Sequence, residues 1–261
     1  MLAPRELPER YVAWNRRWGA PFGSKARRYI PRPLMLAPGF ASLIGPFGYQ
    51  PNNDTRVFEY PWAYEALRCA EGVSVLEIGG GLSGFQWVLA RSGCRVVNVD
   101  PGEAARGRGW PVDAATIRTL GRRFSAVVEL KNSTIDRAEL PDESFDRVVS
   151  ISVIEHVPRD DLRLLLEHVR RILKPGGQFV LTVDLFLDLF PFTDRVENEF
   201  GYNVSVHELV EQSGLNLRVG NPEQLFGYPG FDARRVRDNR ESFLVGTKHS
   251  TLVQALVMEK S

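Results

Sequence analysis

The chain has 261 residues, 43% hydrophobic and 25% charged, ordinary for a soluble globular protein and long enough for one large domain or a domain with an appendage. Its formal net charge of +1 gives no global case for a nucleic-acid partner. No apolar run approaches the ~20 residues that span a bilayer, so no membrane partner is expected. Two cysteines, Cys69 and Cys94, are too few for a disulfide framework and fit buried thiols in a reducing, cytoplasmic setting. The first residues carry a proline and charges where a signal peptide would be apolar.

Residues 1–56 read as an accessory arm or lid. They are rich in Pro, Gly, Arg and aromatics, among them Tyr11, Trp14, Trp18, Phe22 and Tyr49. Within residues 1–32, eight basic side chains from Arg5 to Arg32 face two acidic ones. Arg10 to Trp18 suits a short basic amphipathic helix, whereas Pro31 to Pro51 holds too much Pro and Gly for regular structure. The aromatics argue against disorder. Either the arm covers an acceptor site, or it packs behind a sheet or between two copies in a homodimer. Its basic residues suit an acidic acceptor, RNA, or simply a solvated face.

From residue 57 the pattern becomes that of an alternating α/β domain. Phe58 to Ala70 is helical, with Pro61 expected in the first turn. Val73, Val75, Leu76 and Ile78 form a buried strand, Gly79, Gly80 and Gly81 turn the chain, and helical spacing resumes at Phe85. Free backbone N–H groups at such a helix start favour a polar or anionic ligand. Gly79, Gly81 and Gly84 satisfy G-x-G-x-x-G, which alone reports only a tight strand-to-helix turn. Glu77, two residues before the first glycine, discriminates. Its carboxylate suits a ligand with a positive end and repels a pyrophosphate. S-adenosylmethionine, with an ammonium and a sulfonium, fits.

The helix stops at Gly93. Cys94 to Val99 is a second buried strand that closes on Asp100, where a carboxylate accepts paired hydrogen bonds from ribose hydroxyls; Pro101 continues the turn. A helix from about Asp113 and a strand from Ser125 to Leu130 precede Ile135, Asp136 and the pair Leu140-Pro141. The fourth strand begins at Asp146. Glu155 and His156 leave it on the side where ligands of open α/β sheets bind. Asp160 to Leu173 is a helix, which Lys174-Pro175-Gly176-Gly177 is expected to stop, and Gln178 to Val183 is the fifth strand. Ser205-Val206-His207-Glu208 forms a capping box, which makes His207 structural. Leu215 to Val219 and Thr251 to Met258 are the last two strands. The inserts 184–204 and 221–250 carry Phe186, Phe190, Phe192 and Phe200, then Arg234, Arg235, Arg237 and Arg240. They suit the wall of an acceptor pocket, ordinary packing, or a solvated basic loop. The four His are scattered and neither HExxH nor paired CxxC occurs, so no metal is expected.

Glu77 with its glycines, Asp100, Asp136 before Leu140-Pro141, Ile154-Glu155-His156-Val157 and Leu173-Lys174-Pro175-Gly176-Gly177 share one order and spacing. Over about residues 57–185 they resemble the motifs of the class I S-adenosylmethionine-dependent methyltransferases of small-molecule type. The Asp/Asn-Pro-Pro-Tyr tetrad of amino-group methylation on adenine or glutamine is absent from the sequence. The resemblance implies an α/β, Rossmann-like, doubly wound sheet of seven mostly parallel strands with an antiparallel last strand, over 57–261. It implies S-adenosylmethionine as cofactor, surrounded by Glu77, Gly79, Gly80, Gly81, Asp100, Pro101, Ile135, Asp136 and Ile151. Asp136 then bonds the adenine amino group, Ile135 walls its ring, and Ile151 and Ser152 face the methionine part. Arg56 either meets the cofactor carboxylate or makes a surface salt bridge. A hydroxyl acceptor needs a base, and a His with a pKa of about 6.5 suits that task. His156 is the catalytic candidate, with Glu155 as its orienter or a second base. The expected activity is methyl transfer to a small molecule, oxygen slightly favoured. Methylation of RNA or protein through the basic arm, and a non-catalytic cofactor-binding scaffold, are the alternatives.

Overall fold

The computed structural model describes residues 1–31, 34–37, 39–106 and 108–261; Arg32 of the basic run, Pro33, Pro38 and Gly107 lie outside the described residues. Seven strands form one sheet: β1 (Ser74–Ile78), β2 (Arg95–Val99), β3 (Val128–Lys131), β4 (Phe145–Ile151), β5 (Leu173–Phe186), β6 (Asn216–Val219) and β7 (Thr251–Glu259). Their order is β3-β2-β1-β4-β5-β7-β6. The first five run parallel to one another, and β7 runs antiparallel to both β5 and β6. The expected doubly wound sheet with an antiparallel last strand is therefore present.

Side-chain alternation explains why helices cover both faces. In β1, Val75 enters a core layer with Phe58, Phe85 and Trp87, and the next residue, Leu76, enters the opposite layer with Leu166, Val169 and Phe179. Val149 and Val148 of β4 divide in the same way. Helices α1 (Glu9–Trp18), α2 (Phe40–Ile44), α3 (Arg56–Leu67), α4 (Gly84–Arg91) and α5 (Ala114–Phe124) supply the first layer. Helices α6 (Arg159–Ile172) and α7 (Val206–Ser213) supply the second, and a short α8 (Ala233–Asp238) joins a small cluster with Leu2, Leu185, Phe192 and Leu252. The chain runs outward from β1 through β2 to β3 and returns to β4 on the other side of β1. That reversal opens a crevice beyond the carboxyl ends of β1 and β4.

Three boundaries differ from expectation. Helix α3 begins at Arg56, so Pro61 lies inside it rather than in its first turn. A proline has no N–H to give the carbonyl four residues back. Asn15 of α1 fills that role, its Nδ2 donating to the Val57 carbonyl at 2.7 Å. Next, α6 ends at Ile172 and β5 starts at Leu173, so Lys174-Pro175-Gly176-Gly177 lies within a strand. Gly176 N–H donates to the Lys260 carbonyl and Lys260 N–H to that of Gly177, each at 2.9 Å, and Lys174 pairs with Asp146 at 2.7 Å instead of capping a helix. Finally, the Pro- and Gly-rich stretch contains α2 and a 3-10 turn over Pro46–Gly48, because Ala41, Ile44 and Phe47 are fully buried.

The arm shares the core of the sheet. Tyr11, Ala41 and Phe47 belong to the same layer as Phe58 and Phe85, and the Trp14 ring lies 5.9 Å from Phe47 and 5.6 Å from Tyr64. Ala3 N–H donates to the Val253 carbonyl at 2.9 Å and Leu2 bridges Gln254, along the part of β7 that β6 does not reach. Among the described residues no helix is long and apolar enough to cross a membrane.

Candidate active site

A cavity of about 490 Å³ opens along the carboxyl edge of the sheet. Its lining follows strand order. Ile135 and Asp136 come after β3, Asp100 and Pro101 after β2, and Glu77, Gly79 and Gly80 from β1 and its turn. Ile151, Ser152 and His156 follow from β4 and its exit, Asp184 and Phe186 from the end of β5, and Lys248 and His249 lie just ahead of β7. Two of the predicted site residues, Gly81 and Glu155, do not line it.

The glycine turn is built tightly around Glu77. A Cβ on Gly80 would lie 2.8 Å from the Glu77 carboxyl carbon, and Gly79 adopts φ +68° with Val153 equally close. The N–H groups expected to await an anion are already engaged. Gly80 donates to Asn98 Oδ1 at 3.2 Å, Gly81 to Asp100 Oδ2 at 2.7 Å, Leu82 to Gln50 Oε1 at 2.7 Å and Phe85 to Ser83 Oγ at 3.1 Å. Of the expected polar or anionic ligand, these contacts disfavour the anionic kind, since side chains from β2, the arm and the turn itself occupy four of the donors.

Glu77 is in the opposite situation. It is 2% exposed, and its Oε2 has no hydrogen-bond partner among the described residues. Burial, and secondarily Asp100, push its pKa up to about 8. A buried carboxylate without a partner is unfavourable unless a cation meets it. Asp100 is anchored at both oxygens, Oδ2 by Gly81 and Oδ1 by Gly102 N–H at 2.7 Å. Each oxygen keeps acceptor capacity. Burial raises its pKa, against the pull of those two N–H groups.

Beneath the cavity lies a buried charge network. Arg56 pairs with Glu59 of its own helix and donates to Ser152 Oγ at 2.8 Å. Glu59 Oε1 accepts from Ser152 and Thr182 hydroxyls, each at 2.6 Å. Arg56 is thus no surface salt bridge: it lines the cavity from a fixed position. Asp184 is pushed up to about 7 by burial and then by Glu59. Glu155 sits below it, fully buried, with Oε1 accepting Asp184 N–H at 3.1 Å. The 3-10 turn Ile154–His156 sends successive side chains to different sides, so Glu155 supports the end of β5 while its neighbour reaches the cavity.

His156 holds the Phe200 carbonyl through Nδ1, which therefore carries the proton and leaves the lone pair on Nε2. Burial, followed by Arg108 and Arg56, lowers its pKa to about 4, against the opposing Phe200 carbonyl. The ordinary value near ~6.5 expected from the sequence does not survive this environment.

Comparison with known proteins fits this geometry. Residues 76–181, from β1 into β5, match the family model described as "Methyltransferase domain". Residues 76–181 are thus similar in sequence to a methyltransferase domain. A ubiquinone biosynthesis O-methyltransferase of Paramagnetospirillum magneticum is 33% identical over 114 residues, covering 44% of this chain and 41% of that one. One from Rhizobium rhizogenes is 27% identical over 177 residues, covering 67% and 62%. The chain spans about half the length of the curated relatives it matches. Among solved structures, a 1,6-didemethyltoxoflavin-N1-methyltransferase of Burkholderia thailandensis aligns with a TM-score of 0.53 at 15% identity, over 100% of this chain and 95% of that one. The [4+2]-cyclase SpnF aligns at 0.55 with 14% identity, over 77% and 79%. Both share the fold; the cyclase shows that the fold by itself does not set the reaction.

Outside the methyltransferase domain's own motifs, several wall residues carried no sequence signal. Gln50, Asn52 and Asn53 come from the arm, and Arg108 and Trp110 from the irregular segment after β2. Lys248 and His249 come from the long loop before β7, where no local pattern marks them. Of the phenylalanines in the first insert, Phe186 and Phe200 line the cavity and Phe190 and Phe192 do not. None of Arg234, Arg235, Arg237 and Arg240 reaches it; Arg235 lies 3.5 Å from Glu223 and Arg237 binds the Phe192 carbonyl. Among the described residues no group of three His, Cys, Asp or Glu is arranged to hold a metal ion.

Proposed function

We propose that the chain transfers the methyl group of S-adenosylmethionine to a hydroxyl of a small-molecule acceptor. Glu77 carries this assignment. It offers the cavity a buried carboxylate with an oxygen lacking any described partner, above a turn whose N–H donors are already engaged. Such a turn disfavours a pyrophosphate and suits an ammonium. The O-methyltransferase names of the relatives support oxygen as the acceptor atom.

Bound there, S-adenosylmethionine supplies an electrophilic methyl carbon. Asp100 accepts the ribose hydroxyls with the capacity that Gly81 and Gly102 leave, beside Pro101. Asp136 accepts from the adenine amine and Ile135 walls the ring. Ile151 and the backbone of Gly79 and Gly80 border the methionine part, with Arg56 toward its carboxylate. His156 takes the acceptor proton on Nε2; with a pKa of about 4 it is unprotonated throughout the neutral range. Glu155 acts through the Asp184 backbone as a positioning residue. The arm lends the cavity a side wall through Gln50, Asn52 and Asn53. Alignment of acceptor and donor within a dry site supplies much of the acceleration.

Calorimetric titration with S-adenosylmethionine tests the assignment. Saturable binding is expected, weakened by about 1–3 kcal/mol in Asp100→Ala, which leaves hydroxyls without a charged partner. No heat with this ligand, together with uptake of a nicotinamide nucleotide, would overturn it.

A further inference from the structure

Three acids of the cavity lie toward one edge of the sheet, a fourth, Asp184, at the end of β5, and two unpaired cations lie beyond it. Asp136, Asp100 and Glu77 stand at the tips of β3, β2 and β1. Lys248 and His249 stand at the start of β7, beyond β5, and Arg108 reaches the same corner from above. Arg56, Arg106 and Arg137 also line the cavity, and each has a carboxylate partner. Among the described residues Lys248 and Arg108 form no ion pair. The Lys248 ammonium donates to the neutral Asn52 carbonyl at 2.6 Å. The Arg108 guanidinium lies over two rings, 4.9 Å from the centre of Phe200 and 5.4 Å from that of Trp110. Phe200 in turn meets the His249 ring at 3.6 Å, and His249 Nδ1 is buried with no partner among the described residues.

The two histidines register the field at this corner. Burial lowers the pKa of His249, and Arg108 and Lys248 lower it further, while Glu199 pulls the other way. Burial lowers His156 as well, with Arg108, Arg56 and His249 adding to it. Two uncompensated cations, an unpartnered ring nitrogen and two aromatic faces therefore converge on one end of the cavity.

We propose that the acceptor is an acid, whose carboxylate or phosphate is held by Lys248 and Arg108 at the corner that Phe200 and Trp110 border. An anion there receives charge-assisted hydrogen bonds from both cations. The proposal rests on the methyltransferase assignment for the reaction, and on the corner itself for the charge of the ligand.

The test titrates benzoate, phenyl phosphate and neutral benzamide into the full chain saturated with S-adenosylhomocysteine, by calorimetry. At least one anion should bind about tenfold or more tightly than benzamide, as expected of charge-assisted contacts. Comparing the two anions distinguishes carboxylate from phosphate. Lys248→Ala and Arg108→Ala should each erase most of that preference while leaving benzamide unchanged. Both residues are exposed, so neither substitution removes core packing, and two independent variants keep the test decisive. Equal binding of all three probes, no binding of any, or a preference untouched in both variants would overturn the proposal. Failure of S-adenosylhomocysteine to bind would instead remove the methyltransferase assignment. The same titrations on the ligand-free chain then decide the charge question separately.

Discussion

Glu77 is held ready for a cation. With its pKa pushed up to about 8 by burial and Asp100, the Glu77 carboxyl keeps its proton at neutral pH until a cation meets it. A cationic ligand must displace that proton, so binding of S-adenosylmethionine should release a fraction of a proton near pH 7 and strengthen from pH 6 toward about 8, above which the ligand's own ammonium loses its proton. Calorimetry in two buffers of different ionisation heat measures the release, and identical heats would refute it. The same shift bears on stability. Its folded pKa lies above the ordinary ~4.3, so Glu77 favours the folded state below that value, and the contribution is lost as the pH rises through about 8. Asp184, raised to about 7 by burial and Glu59, acts with the same sign. Glu77→Gln should therefore flatten the decline in melting temperature between about pH 5 and 9 while weakening donor binding by about 1–3 kcal/mol. At this scale the positions of Glu77 and Asp100 were legible, because a strand that ends in an acid before a glycine turn puts that acid at the sheet edge. The low pKa of His156 was not, since it comes from burial and then from Arg108 and Arg56, both distant in the chain.

Elements were legible in type and less so in their ends. Period-two and helical spacing separate strands from helices, but a boundary is settled by whichever partner takes the last backbone groups. Helix α3 illustrates the point. Pro61 reads as a first-turn residue until Asn15, 42 positions earlier than Val57, supplies the hydrogen bond that the proline cannot. Asn15→Ala should leave the Val57 carbonyl without its donor and cost about 1–3 kcal/mol. Denaturant unfolding measures it, and an unchanged midpoint would show that water replaces the amide. The Leu-Lys-Pro-Gly-Gly run makes the same point: its glycines mark the helix end, yet their backbone belongs to the sheet through Lys260.

For the molecule as a whole, the arm packs on the sheet and borders the cavity, two of the placements its sequence left open. Read as accessory, residues 1–56 place Tyr11, Ala41 and Phe47 in the core layer under β1 and tie residues 2 and 3 to β7. Phe47 is fully buried, and such a side chain alone contributes about 1.5–3 kcal/mol. A chain of residues 49–261 should therefore melt far below the full protein or aggregate, because it lacks Tyr11, Ala41 and Phe47. A truncated chain with unchanged melting temperature and donor affinity would make the arm an appendage after all. What the sequence determined by itself is local: an alternating α/β order, the acids at successive strand tips, and the glycine turn that one of them precedes. These follow from neighbours a few residues apart, whose spacing is visible in the string. Only the tertiary structure decided which backbone donors the turn has left, which histidine face is free, and which cations close the far corner of the cavity. Those properties depend on side chains from the arm, β2 and the loop before β7 meeting in space. Burial and charge at such a meeting point are set by distance through the fold, not by position along the chain.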